Sequence, residues 1–227
     1  MLLGGPVFLV GPPILLLMPE LAALLRPFLA RPLSPDQVNQ LQVYLDLLLK
    51  WNAKINLTAI RSPEEIVERH FGESLFSGEQ AAVLGASTLT DVGSGAGFPG
   101  LPMAILAPHS QTTLIESQQK KVAFLREVVR ALGLKNVSVH AGRAENLKRK
   151  SQIVTLRAVE KFHSVLPVAA SLVESGGKLV LLIGASQAET ARKILPNFAW
   201  LNPVSVPKSR ERIVLIGSAN ESSGQSA

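Results

Sequence analysis

The segment LTDVGSGAGFPGLP, residues 89–102, constrains the fold more than any other: a short apolar run ends on an acid, Asp91, and four glycines follow within eight residues. Glycine lacks Cβ and accepts positive φ, so such a segment suits a strand end where the chain turns sharply and a ligand approaches the main chain. The surrounding rhythm agrees. Strand-like runs at TLTDV (88–92), TTLIE (112–116), VSVHA (137–141), IVTLRA (153–158) and KLVLLIG (178–184) alternate with helical ones such as Gln118 to Leu132, which stops at Gly133. Continuous apolar strands alternating with helices predict a parallel sheet covered on both faces. NPVSVP and ERIVLIG, joined by a polar turn at 208–211, read as a hairpin. The expected class is α/β: a Rossmann-like, seven-stranded, mostly parallel sheet with a C-terminal antiparallel hairpin.

A chain of 227 residues holds one sizeable α/β domain and an appendage. The appendage is helical. Ser34, Pro35 and Gln37 form an N-cap, first-turn proline and N3 partner, and Val38, Leu41, Leu45 and Leu48 follow as one apolar stripe. Ser62, Pro63 and Glu65 repeat the start signal. The expected division is a poorly ordered leader at 1–33, a helical cap at 34–79, the ligand-binding domain at 80–217 and a disordered polar tail at 218–227. The first 18 residues are apolar, but prolines at 6, 12 and 13, the missing basic flank and the short length argue against a signal or a span. They read as a loose leader, or as an extension upstream of a natural start at Met18. No stable membrane association, a cytoplasmic location and a monomer are expected.

Without cysteine there is no disulfide, thiolate metal site or thiol nucleophile, and no metal is expected. The net charge of +6 is compatible with a nucleic-acid partner and equally with a solvated basic surface.

Gly95, Gly97 and Gly100 spell the G-x-G-x-x-G of nucleotide-binding loops, and Glu116 ends the second strand 19 residues after Gly97, where an acid accepts from ribose hydroxyls. Pro99 and Pro102 remove two amide donors from the region where a diphosphate would sit. Asp91 would repel a diphosphate yet help hold a cationic amino group. S-adenosylmethionine, with its ammonium and sulfonium, therefore fits better than NAD(P), although an NAD(P)-dependent oxidoreductase shares the loop and the acid. The loop also suits plain strand-to-helix geometry, with both acids as surface partners.

The motifs KWNAKINLT (50–58), ERHFGESL (68–75), DVGSGAGFPGLPMAI (91–105), LIESQQKKVAFL (114–125), GRAEN (142–146) and LRAV (156–159) resemble, in order and spacing, the RsmG (GidB) family of ribosomal RNA methyltransferases, from about residue 35 to 217. The resemblance implies a class I S-adenosylmethionine-dependent fold and methyl transfer to N7 of a guanine in the 530 loop of 16S rRNA. It implies S-adenosylhomocysteine as product and 16S rRNA or the small ribosomal subunit as partner. It places cofactor contacts at Gly93, Phe98, Ala144, Glu145 and Arg157, with Glu116 in the ribose role. Four positions depart from the family pattern: Glu73 replaces an aspartate, Leu156 a serine, Ile183 a lysine, and Gly217 stands where basic residues are usual. The last two bear on RNA contact.

Guanine N7 offers an in-plane lone pair, so no catalytic acid or base is assigned. Thiolate addition at pyrimidine C5 is excluded, and the Asn/Asp-Pro-Pro-aromatic run of amino-group methyltransferases is missing. Arg69, Arg143, Lys148, Arg149 and Lys150 are candidate phosphate contacts, and His70 a candidate base contact. The run 147–150 reads equally as a solvated loop, and His70 and Trp51 equally as packing residues. A non-catalytic relative that holds rRNA or cofactor is the remaining alternative.

Overall fold

A computed structural model describes residues 18–158 and 161–219. The expectations for residues 1–17 and 220–227 lie outside the described residues. The described residues begin with four α-helical pieces, α1 (Met18–Leu25), α2 (Pro35–Asn52), α3 (Pro63–Ile66) and α4 (Glu73–Gln80), with a π-helical turn, Val67–Gly72, joining the last two. Ser34 and Gln37 close both halves of the capping box on α2. Ser62 makes only the forward half on α3, because the Glu65 carboxylate turns to Arg69 at 3.2 Å.

The cap begins earlier than its start signals indicate. Residues 18–29, expected within a loose leader, place Leu21, Leu25, Phe28 and Leu29 in the core. The Phe28 ring covers Gly72 so closely that a Cβ there would lie 2.6 Å from it. An apolar stripe at helical spacing found a surface to cover, and burial offset the cost of ordering it.

From residue 88 the chain alternates: β1 (Thr88–Val92), α5 (Gly100–Leu106), β2 (Gln111–Glu116), α6 (Gln119–Ala131), β3 (Val137–Ala141), β4 (Ser151–Arg157), α7 (Phe162–Ser171), β5 (Val173–Gly184), α8 (Ala188–Ile194), β6 (Phe198–Trp200), β7 (Val204–Ser205) and β8 (Arg212–Ala219). The sheet order is β3-β2-β1-β4-β5-β8-β6, with β7 also on β8. The first five strands in that order are parallel, and β8 is antiparallel to β5. The count is eight rather than seven because β6 and β7 pair successively along one edge of β8, at 217–219 and 213–214. β8 also runs through Ser218 and Ala219, expected in the tail.

Strand periodicity divides the interior into two cores. Along β5, Leu179, Leu181 and Ile183 face the core that contains α7 and α8, whereas Val180 and Leu182 face the one that contains α5, α6 and the cap. Along β8, Ile213 and Leu215 alternate with Val214 and Ile216 in the same way. The proline inside α7, Pro167, hides that helix from a reading by pattern. Among the described residues no helix is long and apolar enough to cross a membrane.

Candidate active site

The chain leaves β1 toward β2 and β3, then returns to the other side of β1 as β4, so the carboxyl ends of β1 and β4 flank a topological switch point. The glycine loop, residues 93–99, starts there. Its underside is closed by hydrogen bonds. Asp91, with no exposed surface, accepts from the Thr155 hydroxyl at 2.7 Å and from the Gly100 amide at 3.2 Å. Burial pushes its carboxyl pKa up, and those two donors, with Ser94, pull against the rise. Tyr44, buried in α2, donates its hydroxyl to the Ala96 carbonyl and stacks its ring on Phe98 at 5.3 Å. Gly97 has φ +97°, and a Cβ on it would meet the Tyr44 hydroxyl at 2.5 Å, so only glycine fits beneath the clamp.

The first amides of α5 are used up by the loop itself. Gly100 donates to Asp91, Leu101 to the Gly97 carbonyl at 2.8 Å, Met103 to the Pro99 carbonyl at 3.2 Å, and Pro102 has none to give. The anion site that a dinucleotide fold keeps at this helix start is therefore missing.

On the upper side the loop borders two cavities that share Gly93 and Glu116. The larger, about 480 Å³, lies between the ends of β1 and β2, the segment 142–145, and α7, which contributes Ser164, Val165 and Val168. The smaller, about 210 Å³, extends from Gly93 and Gly95 to Phe98, Thr58, His70, Lys121, Arg157 and Ala158. Glu116 stands between them. Its carboxylate accepts from the Gly95 amide at 2.9 Å and the Gln118 amide at 2.8 Å.

The cap closes the smaller cavity through charge. The Arg157 guanidinium, on β4, donates to Glu73 at 2.8 Å and to the carbonyls of Arg69 and His70 in the widened turn. Arg212, on β8, reaches the same Glu73 oxygen at 3.3 Å. Burial lowers the Arg157 pKa to about 10, which leaves it cationic at neutral pH. Burial also raises the Glu73 pKa, against the pull of both arginines. His70 stacks on the other face of Phe98 from Tyr44, at 4.8 Å. An Arg157 N–H points at its Nδ1, so Nε2 carries the proton and donates to Thr58 Oγ1 at 2.7 Å. Burial first, then the charge of Arg157, depress the His70 pKa to about 3.

The predicted residues separate accordingly. Gly93, Glu116, Arg143, Ala144 and Glu145 border the larger cavity, and Gly93, Gly95, Phe98, Glu116, His70 and Arg157 the smaller. Asp91 and Gly97 border neither. Asp91, expected to hold a cationic group, is sealed below the loop with no exposed surface and faces neither cavity. His70, half-buried at the rim of the smaller cavity, stacks on Phe98 with both ring nitrogens engaged. Arg69 borders a third cleft, of about 530 Å³, and is paired with Glu65. Lys148 and Arg149 lie on the segment that returns the chain to the start of β4, and border none of these three spaces. Gly217 pairs with Leu179 in the middle of β5, level with Thr90 of β1 through Val154, and a Cβ there would meet the Trp200 ring at 2.7 Å. A side chain at this position would therefore have to displace the Trp200 ring.

Pattern reading missed Tyr44, Thr155, Ser164, Lys121 and Arg212. Only Thr155 left a signal, a polar residue in an otherwise apolar strand.

A family model described as rRNA small subunit methyltransferase G matches residues 37–212. A protein of that name from Xylella fastidiosa is 42% identical over 172 residues, covering 74% of this chain and 80% of the relative. Another, from Exiguobacterium, is 40% identical over 163 residues, covering 69% and 68%. Among solved structures, P. horikoshii TYW2 in complex with MeSAdo aligns with a TM-score of 0.57 over 74% of this chain and 66% of its own, at 16% identity, a likeness of fold.

Proposed function

Because the chain belongs to the rRNA small subunit methyltransferase G family, we propose that it transfers a methyl group from S-adenosylmethionine to N7 of a guanine in the 530 loop of 16S rRNA and releases S-adenosylhomocysteine. The observation that carries this reading is the pair of cavities meeting at Gly93 and Glu116, beside a helix start with no amide to spare for a diphosphate. The donor set suits a cationic nucleoside. Glu116 would accept from the ribose hydroxyls, the segment Ala144–Glu145 would border the adenine, and the smaller cavity would take the amino-acid arm. A Cβ on Gly95 would meet nothing closer than the Gly93 carbonyl at 3.8 Å, so the loop leaves room for a ligand against its main chain.

When bound, S-adenosylmethionine supplies an electrophilic methyl carbon. The residues of this chain have the task of holding the guanine and keeping water out. N7 reacts without losing a proton, so none is asked of His70, whose two ring nitrogens are engaged and whose pKa of about 3 keeps it neutral. Holding acceptor and donor in line turns the transfer into an effectively unimolecular event, worth on the order of 7–11 kcal/mol in well-oriented cases.

The test is methyl transfer from labelled S-adenosylmethionine to 16S rRNA, free and within the small subunit, with 7-methylguanosine mapped in the product. Label confined to the 530 loop is expected. Heat of binding with S-adenosylhomocysteine but no transfer to either RNA would leave a non-catalytic relative, and heat with NAD instead would return the loop to an oxidoreductase.

A further inference from the structure

A groove of about 390 Å³ lies outside the two cavities, on the seam between the end of α2 and the first turns of α6, bordered by Lys50, Trp51, Lys54, Ile55, Lys120 and Glu127. Its electrostatics differ from those of the cleft beside the cap. In the cleft three of the four bordering cations have an acid, Arg69 with Glu65, Lys208 with Glu68 and Arg212 with Glu73, and Arg210 forms no ion pair among the described residues. In the groove, Lys50, Lys54 and Lys120 are exposed and form no ion pair among the described residues. The single acid, Glu127, accepts from the Trp51 indole N–H at 3.1 Å. Three cations to one anion surround an aromatic floor held in place from below by an edge contact with Phe124 at 5.7 Å.

The groove adjoins the reaction space twice. Lys120 borders it while Lys121, the next residue, borders the smaller cavity, and Ile55 borders it while Leu57 borders that cavity.

We propose that this groove docks a single-stranded RNA segment flanking the methyl-accepting nucleotide, its phosphates on Lys50, Lys54 and Lys120 and a base on Trp51. Unpaired cations around an aromatic platform are what a sequence-tolerant single strand requires, the charges for the backbone and the ring for any base. The assignment rests on the rRNA-methylation reading, and it places RNA contact on the cap seam rather than on the run 147–150.

The experiment uses the full chain with Trp200→Phe, which leaves Trp51 as the only tryptophan, and a short single-stranded RNA copied from the 530 loop. RNA is expected to quench Trp51 emission. In an otherwise wild-type chain, Lys50→Gln/Lys54→Gln/Lys120→Gln is expected to weaken RNA binding at least tenfold and to reduce the slope of log K against log salt by about 2, three phosphate contacts at ~0.7 each. Affinity for S-adenosylhomocysteine should stay unchanged, and KM for RNA should rise with kcat retained. Trp51→Phe keeps a stacking face and should bind RNA within a few-fold of wild type, whereas Trp51→Leu should not. An unchanged salt slope in the triple variant, with wild type still methylating rRNA, overturns the groove assignment and leaves the methylation reading standing. Quenching by polyglutamate but not by RNA overturns it in favour of an acidic protein segment. A wild-type chain that neither binds RNA nor transfers methyl removes both readings.

Discussion

The glycine loop has a closed side and an open side, and one acid marks each. Asp91, below, is fully buried and spends both oxygens on Thr155 and Gly100. Glu116, above, is 6% exposed, borders both cavities and holds two backbone amides at its rim. The motif places the two acids in similar sequence settings, each at the end of an apolar strand. What separates them is which way the strand pleat and the loop turn them. The closed side builds the shape of the site, and the open side borders both cavities. An acid next to a nucleotide loop is therefore not by itself a ligand contact.

That contrast can be broken by mutation, beginning with the closed framework of which the cap is part. Arg157→Met strips a buried carboxylate of its shorter partner and leaves only Arg212 on Glu73. It should cost about 3 kcal/mol or more in urea unfolding, since breaking a buried pair strands the remaining charge. Asp91→Asn keeps the volume but turns an NH2 toward a donor. It should cost ~2–3 kcal/mol, while the folded fraction binds S-adenosylhomocysteine within a few-fold of wild type in calorimetry. If affinity falls in proportion to nothing in stability, Asp91 belongs to the open side after all.

His70 supplies a pH test of the same framework. Its folded pKa is depressed to about 3 from an ordinary 6.5, so below pH 6.5 the unfolded chain binds a proton that the folded chain refuses. Stability from this group is present above pH 6.5 and is lost as pH falls toward 3, by about 2 kcal/mol between pH 7 and 5. Differential scanning calorimetry at those two values should show His70→Gln losing less stability on acidification than wild type. Glu116→Gln, on the open side, should weaken S-adenosylhomocysteine about tenfold, ~1.4 kcal/mol, and, because it too turns an NH2 toward an amide donor, should cost about 1 kcal/mol of stability, less than Asp91→Asn. A melting temperature lowered as far as in Asp91→Asn would erase the distinction between the two acids. Tyr44→Phe is the mildest test. It removes only the hydroxyl bonded to Ala96, and should cost about 1 kcal/mol while the Phe98 stack persists.

Legibility followed sequence distance. The five parallel strands, the capping box at Ser34 and the loop with Glu116 are local patterns, and the chain carries them openly. The part of the cap at 18–29 was hidden because its apolar stripe continues a segment read as a leader, and no single residue announces that Phe28 will lie on Gly72, 44 positions away. Glu73, Arg157 and Arg212 lie in three separate motifs, and only the folded sheet brings their side chains to one oxygen. The run 147–150 is legible in charge but not in placement. It is dense in charge, but the chain uses it to travel back to the start of β4.

The sequence by itself determined the alternation of strand and helix, the glycine turn at the first strand end and the family to which the chain belongs, because periodicity, capping and backbone permissiveness act over a few residues. Tertiary structure alone decided which acid borders the cavities, that the histidine is neutral, and which lysines stay unpaired. Those properties depend on burial and on neighbours tens to more than a hundred residues apart, and neither exists until the sheet and the cap have closed on one another.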